Sequence, residues 1–171
     1  MCEGQVWTCA ARASTILDFT EFTGRAVPLT LGDVINKTGP VPTEFYVKSE
    51  SEAAWRAAKG AKTIAREKNG FAYDYSEGSM AFPDTLSKPA RTIITSEGGS
   101  TPSRTKHCVR EKSGLLRRLT PEELEELMGF PRGFTDFPRV SATARAMLMG
   151  NALVVGIVTR IGTALYKAIQ D

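Results

Sequence analysis

Arg117-Arg118-Leu119-Thr120-Pro121-Glu122-Glu123-Leu124, followed by Met128-Gly129-Phe130-Pro131, is the most legible stretch of the chain. Thr120 is a capping hydroxyl, and Pro121 sits where a helix leaves its first N–H unpaired anyway. Glu123, three residues past the cap, can reach back to the Thr120 N–H, so the run reads as a capping box. The helix it opens is expected to stop at Gly129. Farther on, Ser141 can cap a short helix through Met149 that breaks at Gly150-Asn151. A terminal helix over about 152–169 then places Val154, Ile157 (or Val158), Ile161, Leu165 and Ala168 (or Ile169) on one stripe.

Upstream, Pro28 to Ile35 reads as a short helix or turn, closed by the breaker cluster Asn36-Lys37-Thr38-Gly39-Pro40. Ser51 is expected to cap an alanine-rich helix over about 52–68, with Trp55, Ala58, Ala61 (or Lys62) and Ala65 along one side and Asn69-Gly70 as its terminator. Phe71 to Ser87 is expected to run extended. Thr92-Ile93-Ile94-Thr95 has the composition of a short strand, Val6 to Ala11 a weaker one, and 96–105 (SEGGSTPSRT) that of a loop.

The chain has 171 residues, 42% of them hydrophobic and 24% charged. That suits one globular domain and is too apolar and too near neutrality for a disordered chain. The longest apolar stretches break at Gly150, Gly156, Thr159 and Arg160, short of the ~18 residues a membrane span needs. The first four residues lack the basic start of a signal peptide, so a soluble, intracellular protein is expected. Three cysteines (Cys2, Cys9, Cys108) without a CxxC pair, and one histidine (His107), suggest neither a disulfide framework nor a metal site. Charge is uneven: residues 86–118 hold eight basic side chains (Lys88, Arg91, Arg104, Lys106, Arg110, Lys112, Arg117, Arg118) against two acidic ones. Such a centre is what a phosphate-contacting surface needs, or simply a solvated cationic loop.

The stretch from Arg117 to Pro131 resembles the ninth motif of DNA cytosine-5 methyltransferases. Ser141-Ala142-Thr143-Ala144-Arg145 with Met149-Gly150-Asn151-Ala152-Leu153-Val154-Val155 resembles their tenth. Between them, Lys88-Pro89-Ala90-Arg91-Thr92-Ile93 and Ser103-Arg104 resemble a target-recognition region, and order and spacing agree over roughly residues 30–171. The family's N-terminal landmarks are a glycine-rich cofactor loop, a Pro-Cys nucleophile and a Glu-Asn-Val motif; none occurs in these residues. Gln5-Val6-Trp7 to Arg12 resembles the tail of the eighth motif, more loosely.

The resemblance implies an α+β protein. Residues 1–29 are a remnant of the catalytic domain, and 30–140 a small target-recognition domain of short strands and loops with flanking helices. Residues 141–171 are helices returning to a Rossmann-like methyltransferase domain that lies outside this sequence. It further implies the C-terminal part or subunit of a DNA (cytosine-5-)-methyltransferase. Such a part binds double-stranded DNA sequence-specifically, completes an S-adenosylmethionine-dependent enzyme with a catalytic N-terminal half, and serves a restriction-modification system as a cytoplasmic, nucleoid-associated protein of a prokaryote or phage. In that family a thiolate adds to C6 of a cytosine taken out of the stack, which makes C5 nucleophilic toward the methyl donor. Without a Pro-Cys pair, the chain is not expected to be active alone. The alternatives are a stand-alone, non-catalytic DNA-binding module derived from such an enzyme, and a structural domain whose basic loop is incidental.

The residues implied to bind DNA are Arg91, Thr92, Ile93, Ser103, Arg104 and Lys106. The two arginines suit guanine edges, with phosphate contact equally open. Gly150, Asn151 and Ala152 match the motif that helps close the S-adenosylmethionine pocket, although Asn151 could instead cap the terminal helix. Arg117, Thr120 and Glu123 match positions that tie the recognition region to its scaffold. If the terminal helix belongs to another domain, its aliphatic stripe is expected to be exposed here.

Overall fold

The computed structural model describes residues 29–35 and 39–170; the strand-leaning run at 6–11, most of segment 1–29 and breaker residues 36–38 lie outside these. In chain order the elements are α1 (Leu31–Ile35), α2 (Glu52–Lys59), β1 (Lys62–Lys68), β2 (Phe71–Glu77), β3 (Val109–Arg110), β4 (Leu116–Arg117), α3 (Pro121–Leu127), α4 (Ala142–Asn151) and α5 (Val155–Gln170). Two antiparallel hairpins, β1–β2 and β3–β4, are the only sheets among the described residues. The architecture is therefore α+β with short strands.

The capping box forms as written. The Thr120 hydroxyl accepts from the Glu123 N–H at 3.4 Å, and the Glu123 carboxylate accepts from the Thr120 N–H at 2.8 Å. At the other end Gly129 takes φ +85°, the Phe130 N–H donates to the Glu125 carbonyl, and the Gly129 N–H to that of Glu126. This is the paired closure that a left-handed glycine permits. Ser141 caps α4, accepting from the Ala144 N–H at 3.2 Å.

The main core joins Leu31 and Ile35 of α1, Ile93, Val109, Leu119, Leu124 and Met128 around α3, and Ala146 and Met149 of α4. A smaller cluster holds Trp55, Cys108 and Leu116. Backbone bonds bind the segments between. The N–H groups of Leu31 and Gly32 donate to the carbonyls of Lys88 and Leu86, and segment 45–47 pairs with 116–118.

Helix α2 ends at Lys59, and residues 62–68 are a strand, which corrects the expected helix over 52–68. Gly60 stops the helix in an extended conformation. Asn69 and Gly70 (φ +54° and +76°) then form a two-residue hairpin turn, joining Lys68 to its partner Phe71. Two positive φ angles are what an Asn-Gly turn supplies between right-twisted strands. The expected strand at 92–95 is also overturned: 92–94 are irregular and Thr95 begins a turn. Among the described residues no strand lies beside them; α4 does. A Cβ on Gly150 would sit 2.3 Å from the Ile94 carbonyl carbon and the Thr95 nitrogen, and one on Gly98 would sit 2.8 Å from the Ala146 Cβ. The segment lies flat on the α4 face that Gly150 keeps bare, and Gly98, in the turn at its end, lets the chain approach Ala146.

Ala142–Gln170 has the length, and within it an 18-residue window of mean hydropathy 1.5, to cross a membrane, the one such stretch among the described residues. The backbone divides it, because Ala152 is extended (ψ 156°) between helices of 10 and 16 residues. At 1.5 Å per residue α5 reaches about 24 Å, short of the ~30 Å hydrocarbon core.

Replacing Gly150 by alanine is expected to cost at least about 2 kcal/mol, since the added carbon meets backbone that cannot yield. Gly162→Ala, with nothing within 4 Å of its Cβ position, is expected to be neutral or to raise helicity. Thermal melts of the two variants check this; equal effects contradict it.

Candidate functional site

Arg91, Thr92, Ile93, Gly150 and Ala152 border a single cleft of about 580 Å³, whose far wall is formed by Leu153, Val154 and the first turns of α5. The sequence separates these residues by nearly sixty positions, and the seating of 92–95 on α4 brings them together. The lining is mostly apolar. Asn151 is outside it, exposed, with its amide donating to the Met147 carbonyl at 3.3 Å. It therefore closes α4 and does not cap α5.

Ser103, Arg104 and Lys106 lie elsewhere, in the loop that precedes His107. The Arg104 guanidinium donates to the Gly60 carbonyl at 2.8 Å and to that of Gly78, and it pairs with Glu77 at 3.0 Å. It clamps the base of the β1–β2 hairpin. Lys106 is buried and donates to the carbonyls of Gly99 (3.0 Å) and Thr101 (2.8 Å), closing the loop on itself. Burial, aided by Arg118, holds its pKa below the ordinary lysine value. The Ser103 hydroxyl meets that of Thr105 at 3.2 Å.

The Arg91 guanidinium makes four hydrogen bonds: two to Asp84 (3.0 and 2.8 Å) and one each to the carbonyls of Thr105 (2.8 Å) and Lys106 (3.2 Å). A guanidinium has five N–H donors, so a bidentate fork to a base is already spent. Asp84 is the hub of this corner, and it also accepts from the Cys108 N–H at 2.8 Å and pairs with the buried Lys59 at 3.5 Å. His107 is held between Glu97 (Nδ1, 2.9 Å) and the Arg91 N–H, which donates to Nε2 at 3.1 Å.

Of the eight cations in 86–118, only Lys88, Arg110 and Lys112 are exposed. Arg117 and Arg118 are buried like Lys106; Arg118 donates to the carbonyls of Gly98 (2.8 Å) and Glu44 (2.6 Å) and lies over the Phe45 ring. Most of the positive centre is internal cement. No group of three or more His, Cys, Asp or Glu side chains is placed to hold a metal among the described residues.

Residues 23–167 match the C-5 cytosine-specific DNA methylase family, and the type II methyltransferase M.Sau3AI of Staphylococcus aureus is 39% identical over 140 residues, or 81% of this chain. The chain belongs to the C-5 cytosine-specific DNA methylase family. The match spans 32% of the length of that relative, about a third of a longer methyltransferase. No solved structure gives a significant match.

Within this family member the chemistry of one thiol is settled by its surroundings. Cys108 is fully buried, and desolvation pushes its pKa up to about 12. A thiolate is the reactive form, so Cys108 is a packing residue. In a Cys2→Ser/Cys9→Ser variant, Cys108 is expected to resist a thiol-specific dye in the folded protein and to react once denaturant unfolds it. Prompt labelling in buffer contradicts that placement.

Proposed function

We propose that the chain is the C-terminal, DNA-gripping part or subunit of a DNA (cytosine-5-)-methyltransferase. It works with a catalytic N-terminal half and serves a restriction-modification system in the bacterial cytoplasm. The observation that carries this reading is α5. None of its 16 residues is buried, and Ile157, Ile161 and Leu165 are exposed by 41%, 56% and 59%. An aliphatic stripe on an amphipathic helix forms to be covered, and the apolar cleft beside it extends the uncovered surface. A companion domain seated there would bury both.

S-adenosylmethionine does not fit the described residues alone. Among them, the lining of the cleft at Gly150 and Ala152 holds no carboxylate, and its polar side chains are Arg91 and Thr92. A sulfonium bearing an ammonium group and ribose hydroxyls needs acceptors there. In this reading the chain contributes a wall, and the companion contributes the polar contacts together with the nucleophilic thiolate. The share of work left to this chain is to hold duplex DNA while a cytosine leaves the stack, at a cost of a few kcal/mol.

The test is transfer of labelled methyl groups from S-adenosylmethionine to duplex DNA, measured for the chain alone and with the N-terminal half of a related methyltransferase. The expected outcome is no transfer alone, transfer on mixing, and a shift from self-associated chain to a defined complex. Transfer by the purified chain alone contradicts the proposal. A monomeric chain that melts cooperatively and gains nothing from any companion favours the stand-alone DNA-binding module.

A further inference from the structure

The β1–β2 hairpin projects from the body with thirteen of its fourteen strand residues exposed and only Glu77, at its base, partly covered. Its register sorts those residues into two unlike faces. Lys62, Ile64, Arg66 and Lys68 oppose Glu77, Tyr75, Tyr73 and Phe71, so three cations and three aromatic rings share one face. The other face carries Glu67 and Asp74 among small residues, and no cation. Glu77 is the only acid on the first face, and Lys62 and Arg104 neutralise it at 3.1 and 3.0 Å.

An antiparallel pair of strands ordinarily packs one face on a core, and an isolated two-stranded hairpin is marginal in water. Here neither face is packed, yet the base is firmly fixed. Arg104 grips Gly60, Glu77 and Gly78, and the Met80 N–H donates to the Lys59 carbonyl. At the middle of the cationic face the Arg66 guanidinium lies 4.4 Å from the centre of the Tyr75 ring, with no hydrogen-bond partner among the described residues. Its donors are available, unlike those of Arg91 and Arg104. Phe71, at the tip, is 72% exposed.

Cations interleaved with rings, backed by an acidic opposite face, complement a polyanion approached from one side. The major groove of a DNA duplex admits a two-stranded ribbon of this width. We infer that the Lys62–Arg66–Lys68 face of the hairpin enters the major groove of duplex DNA. Arg66 presents its guanidinium to a base edge, and Lys68 reaches a phosphate at the tip. The inference rests on the DNA-gripping reading above and moves the grip from residues 88–106 to the hairpin. Arg104 becomes the positioning residue at its root.

The test is retardation of a mixed-sequence 30-base-pair duplex, titrated against salt, by the full chain, by Arg66→Gln/Lys68→Gln, and by Lys48→Gln/Lys112→Gln. The second variant removes the same charge from exposed positions elsewhere. Unchanged melting of all three proteins establishes that each is folded. The hairpin variant is expected to bind at least about tenfold more weakly and to flatten the plot of log affinity against log salt by about 2, with the control losing much less. Equal losses in the two variants, or a hairpin variant altered only in self-association, overturn the inference alone. A full chain that binds no duplex overturns the DNA-gripping reading and the inference with it.

Discussion

Arg117 is 1% exposed, and its guanidinium meets the buried carboxylate of Glu123 twice at 2.7 Å. Around this pair the rest of the body is arranged. Arg117 also reaches Glu111 at 2.5 Å and the Arg118 carbonyl at 3.0 Å, while Glu123 closes the Thr120 cap. One ion pair thus fixes β4 to the start of α3 and fixes the turn between β3 and β4 to both. Burial alone would lower the arginine's pKa, and the two carboxylates more than reverse that. A second centre repeats the device: Arg145 of α4 joins Glu125 (2.9 Å) and Glu122 (2.7 Å) of α3, and Glu125 also accepts from the Thr135 N–H at 3.0 Å. Buried ion pairs are costly unless further hydrogen bonds satisfy the charged groups, and here the Arg117 guanidinium makes four.

Those constraints decide what the basic centre of the sequence is for. Charge counted along the chain makes residues 86–118 look like a phosphate-binding surface. Folding turns most of those cations inward onto carbonyls and carboxylates. The hairpin shows the converse, because its three cations and three acids cancel in a linear count. Only the strand register, which alternates side chains between faces, separates Glu67 and Asp74 from the cations.

The same distinction explains what the sequence made legible. The capping box at Thr120, the stop at Gly129, the Ser141 cap and the exposed stripe of α5 are local or periodic signals, and each appears as read. The helix over 52–68 failed because alanine-rich composition outweighed Gly60 and an Asn-Gly turn flanked by alternating residues. That turn was the signal that would have found the hairpin. The strand at 92–95 is absent because strand composition does not supply a neighbouring strand, and the face that receives the segment, bared at Gly150, belongs to a helix distant in sequence. Arg117, Thr120 and Glu123, expected as structural positions, lie buried in the body. Arg91 and Arg104, expected to contact base edges or phosphates of DNA, also hold internal hydrogen bonds. The cleft that joins Arg91–Ile93 to Gly150 and Ala152 depends on that long-range packing and had no local signal.

The Arg117–Glu123 pair holds the body together, and a double-mutant cycle with Arg117→Met and Glu123→Gln measures its coupling. Arg117→Met takes the guanidinium from the buried Glu123 carboxylate, and Glu123→Gln leaves Arg117 with Glu111 as its one carboxylate partner; each is expected to lose about 3–5 kcal/mol of unfolding free energy. The double variant is expected to lose at least about 1.5 kcal/mol less than the sum of the two. Losses that add to within about 0.5 kcal/mol would show that the pair is not coupled and would contradict the account.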